Sequence, residues 1–263
     1  MRFYLGTGEV AWLWRPEFTG VPLFVSHRRL RARKSPYPRA VTTYAVDSGA
    51  YTELTTHGRW VETPEAYVTA LYRYWRELGP FDFAAQQDWI CAPDAFAAIE
   101  AHTGTRTTVA DHQGRTVDNY LRLRELAPDL PIAPTLQGVT YADYLAAADR
   151  FEAAGVNLAA LPVVGVGSLV KSTPAAIERI VTGLNDRGLV RLHGFGVKRP
   201  GVAAAAHGLA SADSQSWSYR GRRMEPLPGC RHSSCQNCPR WALLWRSRVL
   251  ATAQSPQQLG FAF

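Results

Sequence analysis

Short apolar runs that end in polar or glycine residues recur along the chain: FYLG at 3–6, PLFVS at 22–26, TTYAVDSGAY at 42–51 and FDFAAQQDWI at 81–90. Four more follow, PIAPTLQG at 131–138, LAALPVVGVG at 158–167, VRLHGFGV at 190–197 and LASADSQSW at 209–217. Several are almost continuously apolar at their starts, as strands covered on both faces of a parallel sheet are. Between them, 64–78 and 141–155 repeat apolar residues at spacings of three and four, the pattern of a helix that buries one face. The stretch 172–188 begins with the capping residues Ser172 and Thr173 and Pro174 near its first turn, and ends at Gly188. A further helix is predicted over 114–126. About eight strands alternating with helices over roughly 250 residues predict an α/β fold, a TIM-type (β/α)8 barrel, with a doubly wound open sheet as the alternative.

Composition narrows this little. Hydrophobic residues make up 46% of the 263 and charged residues 19%, as in a folded globular chain. No repeat or linker divides the sequence, so 1–263 reads as one domain. No apolar run approaches bilayer length, and the N-terminus lacks a secretory signal pattern, so no membrane partner and a cytoplasmic location are expected. Charge adds more. The net charge is +7, and much of the excess is concentrated in Arg28, Arg29, Arg31, Arg33, Lys34 and Arg39 and in Arg220, Arg222, Arg223 and Arg231. Such clusters suit phosphates, although solvated basic loops look the same. The stretch 27–40 reads as a basic inserted loop.

Three of the four cysteines lie within nine residues, in CRHSSCQNC. Cys230, His232, Cys235 and Cys238 are four ligands that a tetrahedral zinc can gather, and a full set leaves no open position for water. A structural Zn2+ site within 228–250 is therefore expected, against the alternative of free thiols beside a surface histidine. Cys91 is expected to be a buried or pocket-lining thiol and not a ligand.

In barrels, functional side chains gather at the C-terminal ends of strands. Here those ends carry Asp47, Asp88, Gln137, Gly165 with Gly167, His193 and Asp213. Each alone is commonly a turn or cap residue. Asp47 and Asp213 are candidates for group transfer, one carboxylate attacking an anomeric carbon while another acid or base serves the leaving group. Pairing of Asp88 with Asp47 is also open.

DSGAY at 47–51 resembles the DTGGY or DSGGF element of tRNA-guanine transglycosylases, and ASADSQSW places Asp213 where that family carries its nucleophile. QQDWICAP, LQG at 136–138, VGVGSL at 164–169 and LHGFGVKRP at 192–200 are similar to further elements in the family's order. The likeness covers 47–238 and is strongest to the small deazaguanine DNA-modification transglycosylases of phages and bacteria, often called DpdA. It implies exchange of guanine in DNA for a 7-deazaguanine base such as preQ0. Asp213 would form a covalent glycosyl intermediate and Asp47 would act as general acid or base. The resemblance assigns Asp88, Gln137, Gly138, Gly165 and Gly167 to the base edge, and Tyr51 and His193 to its faces. A flipped or single-stranded guanine nucleotide would be the DNA substrate. It also implies action in the bacterial or phage-infected host cytoplasm, possible accessory DNA-modification proteins, and a zinc site in which Cys238 replaces the distant histidine of the tRNA enzymes. The same exchange on tRNA, a noncatalytic nucleic-acid-binding barrel, and a zinc-supported glycoside or nucleoside hydrolase are the competing readings.

Overall fold

The computed structural model describes residues 1–254. Nine parallel strands form one sheet: β1 (Arg2–Thr7), β2 (Leu23–Ser26), β3 (Tyr44–Asp47), β4 (Ala84–Ala85), β5 (Ile132–Ala133), β6 (Thr135–Leu136), β7 (Val164–Val166), β8 (Leu192–Gly194) and β9 (Ser211–Ser214). Its order is β5-β4-β3-β2-β1-β9-β8-β7-β6. The two ends of that order are separated in sequence by Pro134 alone, so β5 and β6 are halves of one stave that meets β4 on one side and β7 on the other. Proline has no N–H to give to a ladder, yet its carbonyl accepts from Gly165 at 2.8 Å and carries the ring across the break. This is a barrel, and the open-sheet alternative is excluded. All eight apolar runs contain a strand, although 158–160 is a 3-10 turn capped by Asn157 and the strand begins later, at Val164.

Among the described residues ten helices surround the ring: α1 (His27–Leu30), α2 (Ala50–His57), α3 (Pro64–Glu77), α4 (Pro93–Thr103), α5 (Val109–Leu126), α6 (Tyr141–Ala153), α7 (Pro174–Asp186), α8 (Arg199–Ala205), α9 (Ser216–Gly221) and α10 (Pro239–Gln254). Reciprocal capping boxes, Thr108 with Asp111 and Thr140 with Asp143, start α5 and α6. The first of these explains why α5 begins five residues before the predicted 114. Thr173 caps α7 and Pro174 fills its first position, as expected.

Alternation within the strands separates two apolar layers. Phe3, Leu5, Leu23, Val25, Val46, Ala84, Val164 and Leu192 face the helices in the main core. Tyr4, Phe24, Ala45, Phe83 and Ala133 fill the barrel, with Phe195 packed on them. The basic stretch 27–40 is no free loop: it opens with α1, buries Leu30 and Tyr37, and Arg73 of α3 donates to its Arg33 and Ser35 carbonyls at 2.8 and 3.0 Å.

Candidate active site

The polar residues of the barrel mouth follow strand ends. Asp47 closes β3, where its register partner across the ladder is Ser26 of β2. The turn that follows needs a left-handed residue, supplied by Gly49 (φ 83°), whose N–H donates to Asp47 Oδ1 at 3.2 Å. Burial pushes Asp47 above the usual carboxylate range; the Gly49 amide opposes that, the charge of Asp213 adds to it, and Ser26 and His27 oppose it. Asp213 lies in β9 beside Tyr4 of β1. Its Oδ1 accepts the Gly196 N–H at 2.9 Å and faces His193 Nε2 at 3.4 Å. Gly196 is also left-handed (φ 63°), which aims its amide at the carboxylate. Only Oδ1 is engaged among the described residues.

His193 is fully buried within the barrel's aromatic filling, 4.9 Å from the Phe83 ring and 4.7 Å from that of Phe195. Its Nδ1 meets Ser211 Oγ at 2.8 Å. With both nitrogens engaged by residues of β9, the ring orients Asp213.

A second group of residues forms around Asp88, which follows β4. Burial raises its carboxyl to about 7, against the opposing bonds from Gln137 and Ser48. Gln137 Nε2 donates to Asp88 Oδ2. The carboxamide's other atom, Oε1, accepts from Ser168 Oγ at 2.5 Å and from the Cys91 N–H at 3.4 Å. These bonds fix which way the amide points. Gly167 lets Gln137 lie there, since a β-carbon would stand 2.2 Å from Nε2. The Gly167 carbonyl in turn accepts from Tyr144 Oη at 2.8 Å.

Three expected residues lie apart from these two groups. Gly165 makes room for Phe195, which an added β-carbon would meet at 2.3 Å, and Gly138 makes room for Asp143 and Tyr144. Tyr51 is exposed on α2, and its hydroxyl donates at 2.6 Å to Asp94, which also pairs with Lys171 at 3.3 Å. Cys91 is a buried thiol that burial pushes far above its ordinary value, and it is not among the clustered ligands.

Cys230, His232, Cys235 and Cys238 bring their ligand atoms within 4.8 Å of one another, an arrangement that can hold a metal ion. Cys230 Sγ and Cys238 Sγ are 3.9 Å apart, and His232 Nε2 is 3.3 Å from Cys235 Sγ. A tetrahedral zinc with ordinary bond lengths would set these edges at about 3.8 and about 3.5 Å, so the set fits zinc. The Leu227 N–H points at Cys235 Sγ (3.3 Å) and Arg240 lies 3.8 Å from Cys230 Sγ, both favourable to thiolates. The fourth position is thus taken by a cysteine that stays within the same short loop.

With barrel, paired carboxylates and Cys3His cluster in place, residues 1–259 match the family described as DpdA, deoxypurine in DNA protein A. The chain belongs to this family. No individual curated protein matches it. Membership in the DpdA family makes it, at that level, a DNA deazaguanine transglycosylase, a glycosyl-transferring enzyme with DNA as substrate. The DpdA match takes in the N-terminal strands and α10 as well, beyond the 47–238 covered by the motifs. Among the described residues, no helix is long and apolar enough to cross a membrane.

Sequence reasoning missed several partners of the candidate residues: Ser26, Ser48, Cys91 through its amide, Ser168, Gly196 and Ser211. Ser26 and Ser168 had a usable signal, since each ends or follows a strand whose neighbour carries a candidate. Ser168 also adopts a left-handed conformation (φ 57°), unusual outside glycine, and this holds its hydroxyl on Gln137. The Gly196 amide had none, because a backbone donor leaves no mark in residue type.

Proposed function

We propose that this enzyme replaces guanine in DNA with a 7-deazaguanine such as preQ0 by two displacements at C1′, with Asp213 as nucleophile. The observation that carries the reading is the unequal treatment of two carboxylates at the barrel mouth. Asp213 Oδ1 is held by the Gly196 amide and by His193, which leaves Oδ2 for attack. Asp47, with its proton affinity raised by burial and by the charge of Asp213, suits proton transfer.

In the first step Oδ2 forms a bond to C1′, the C1′–N9 bond breaks, and the departing guanine takes its electron pair and a proton from Asp47. In the second, the Asp47 carboxylate removes N9–H from the incoming base. N9 then bonds to C1′ and the Asp213 ester opens, so configuration is retained and both carboxyls return to their initial states. No redox change and no nucleotide hydrolysis enter the balance.

With Oε1 engaged by Ser168 and Cys91, Gln137 would offer the base its second N–H, which suits the 6-carbonyl of guanine and its deaza analogues. Asp88 beside it suits the N–H groups of the same edge. Backbone oxygen and nitrogen at Gly167 border this edge. Gly138 and Gly165 support it through packing, and Tyr51 lies on the rim. A zinc ion in the cysteine cluster would act as a clasp, supplying no step. The target nucleotide must leave the base stack to reach this depth, so it is flipped or single-stranded.

The deciding experiment supplies labelled preQ0 separately with duplex DNA, single-stranded DNA and tRNA. Incorporation into DNA is expected, and label in tRNA alone would overturn the substrate. Asp213→Ala should abolish exchange and any trapped covalent adduct. Persisting exchange would remove it as nucleophile.

A further inference from the structure

The arginines of the 27–40 segment are mostly committed to the protein itself. Arg28 lies 4.0 Å from Glu53, and Arg31 bridges Glu53 and Glu62 at 3.4 and 3.2 Å. Arg33 donates to the Ser35 and Pro36 carbonyls and covers Trp14 and Tyr37, while Arg39 donates to the Arg76 carbonyl. Lys34 is exposed but sits between two residues whose carbonyls are bound by Arg73 of α3, outside the ring of strands. Arg29 differs from all of these. It is exposed and has no ion pair, hydrogen bond or ring contact among the described residues.

Its position is specific. A methyl group placed on Gly8 would find Arg29 Nε at 3.5 Å, Gln215 Nε2 at 3.7 Å and Arg29 Cζ at 4.0 Å as its nearest neighbours beyond the adjoining residues. Gly8 is the first residue after β1, and Gln215 the first after β9, two beyond Asp213. These strands are neighbours, Leu5 opposite Ser214, and are so close that a methyl on Gly6 would meet the Ser214 backbone at 2.9 Å. A guanidinium and a carboxamide therefore converge over a bare glycine floor on the rim directly beyond Asp213.

Both converging groups offer N–H donors, the glycine leaves room for a bulky tetrahedral group, and among the described residues no carboxylate lies within ion-pair distance of Arg29. We infer that Arg29, Gln215 and Gly8 form a subsite for a backbone phosphodiester adjoining the target nucleotide. In a nucleotide whose C1′ reaches Asp213, the flanking phosphates are only a few bonds from that carbon, which places one of them at the rim. An arginine fork matches two phosphate oxygens, and the Gln215 amide supplies a further N–H. The inference rests on Asp213 as the attacking group, since that fixes where the sugar lies.

The test measures affinity of the full chain for a short single-stranded DNA over a range of salt concentrations, for wild type, Arg29→Ala, Arg29→Lys and Gln215→Ala. Releasing the counterion of one phosphate contributes about 0.7 to the salt slope on a single strand. Arg29→Ala should lower the slope by about that amount and weaken binding about fivefold at 0.1 M salt, the difference vanishing towards 1 M. Arg29→Lys should restore the slope and part of the affinity. Gln215→Ala should weaken binding with the slope unchanged. In exchange assays Arg29→Ala should raise KM for DNA and leave KM for the free base at its wild-type value. A wild-type slope and DNA KM in Arg29→Ala would overturn the subsite even if Asp213→Ala is inactive. Exchange surviving in Asp213→Ala would instead overturn the reading on which the subsite rests.

Discussion

Replacing Gly167 with alanine tests the proposed base-reading group with the smallest available change. Gly167 is not among the residues with positive φ, so the backbone accepts alanine without strain. The new methyl, however, would sit 2.2 Å from Gln137 Nε2 and 2.8 Å from its Cδ. Ordinary contact begins near about 3.5 Å, so the carboxamide must withdraw by more than about 1 Å. That breaks its bond to Asp88 and the one from Ser168. Gln137 is 1% exposed, and water cannot replace the lost partners. One bond to a neutral group and one to an ionisable group together are worth roughly 2–4 kcal/mol. For a chain of this size that is a fall in Tm of about 5–10 °C. Thermal unfolding and exchange kinetics with labelled base read the two consequences, and KM for the base should rise at least about tenfold while KM for DNA holds. A variant with the Tm and base KM of the wild type would refute the geometry. A lowered Tm with unchanged base KM would confine Gln137 to a structural role.

The raised proton affinity of Asp88 sets a pH dependence of stability. Its folded value of about 7 lies above that of an unfolded chain, so the native state holds a proton that the unfolded state has lost; stability falls as pH rises from about 4 to about 7, by roughly 1.4 kcal/mol per unit. Asp88→Asn keeps an acceptor for Gln137 and cannot ionise, so its Tm should gain on the wild type between pH 5 and pH 8; a constant difference would contradict the burial. For the cysteine cluster, metal analysis should return about one zinc per chain. Chelation or Cys235→Ser should lower Tm, because the Cys235 side chain is wholly buried. An unchanged Tm on complete metal removal would dismiss the clasp.

The barrel was legible in the sequence because strands covered on both faces must be apolar without interruption, and a polar residue then marks where each stave ends. That same contrast exposed Asp47, Asp88, Gln137 and Asp213. Helices with capping pairs and strong periodicity, such as α3 and α7, were equally readable. The short α2, α8 and α9 were not, since one or two turns carry too few positions to show a period. The arginines misled in part: Arg31 and Arg33 look like a free basic loop in one dimension, and only the fold brings Glu53, Glu62, Trp14 and Tyr37 to them. The resemblance assigns His193 to a face of the base; in the fold its ring lies in the barrel filling with Nδ1 on Ser211 and Nε2 facing Asp213, partners that one dimension does not show.

Trp217 and Trp241 add to the contacts between the tail and β1, where Arg246 donates to the Phe3 carbonyl and Trp245 packs on the Phe3 ring. Trp241 of α10 donates its indole N–H to the Trp217 carbonyl at 2.8 Å, and Trp217 of α9 donates its own to the Gly6 carbonyl at 2.7 Å. Gly6 is the residue pressed against the Ser214 backbone, one position from Asp213. Two indoles in series thus moor the tail that carries the cysteine cluster to the joint between the first and last staves. Loosening the tail would slacken that mooring one position from Asp213, so an ion held by the cysteine cluster would steady the proposed nucleophile without touching it.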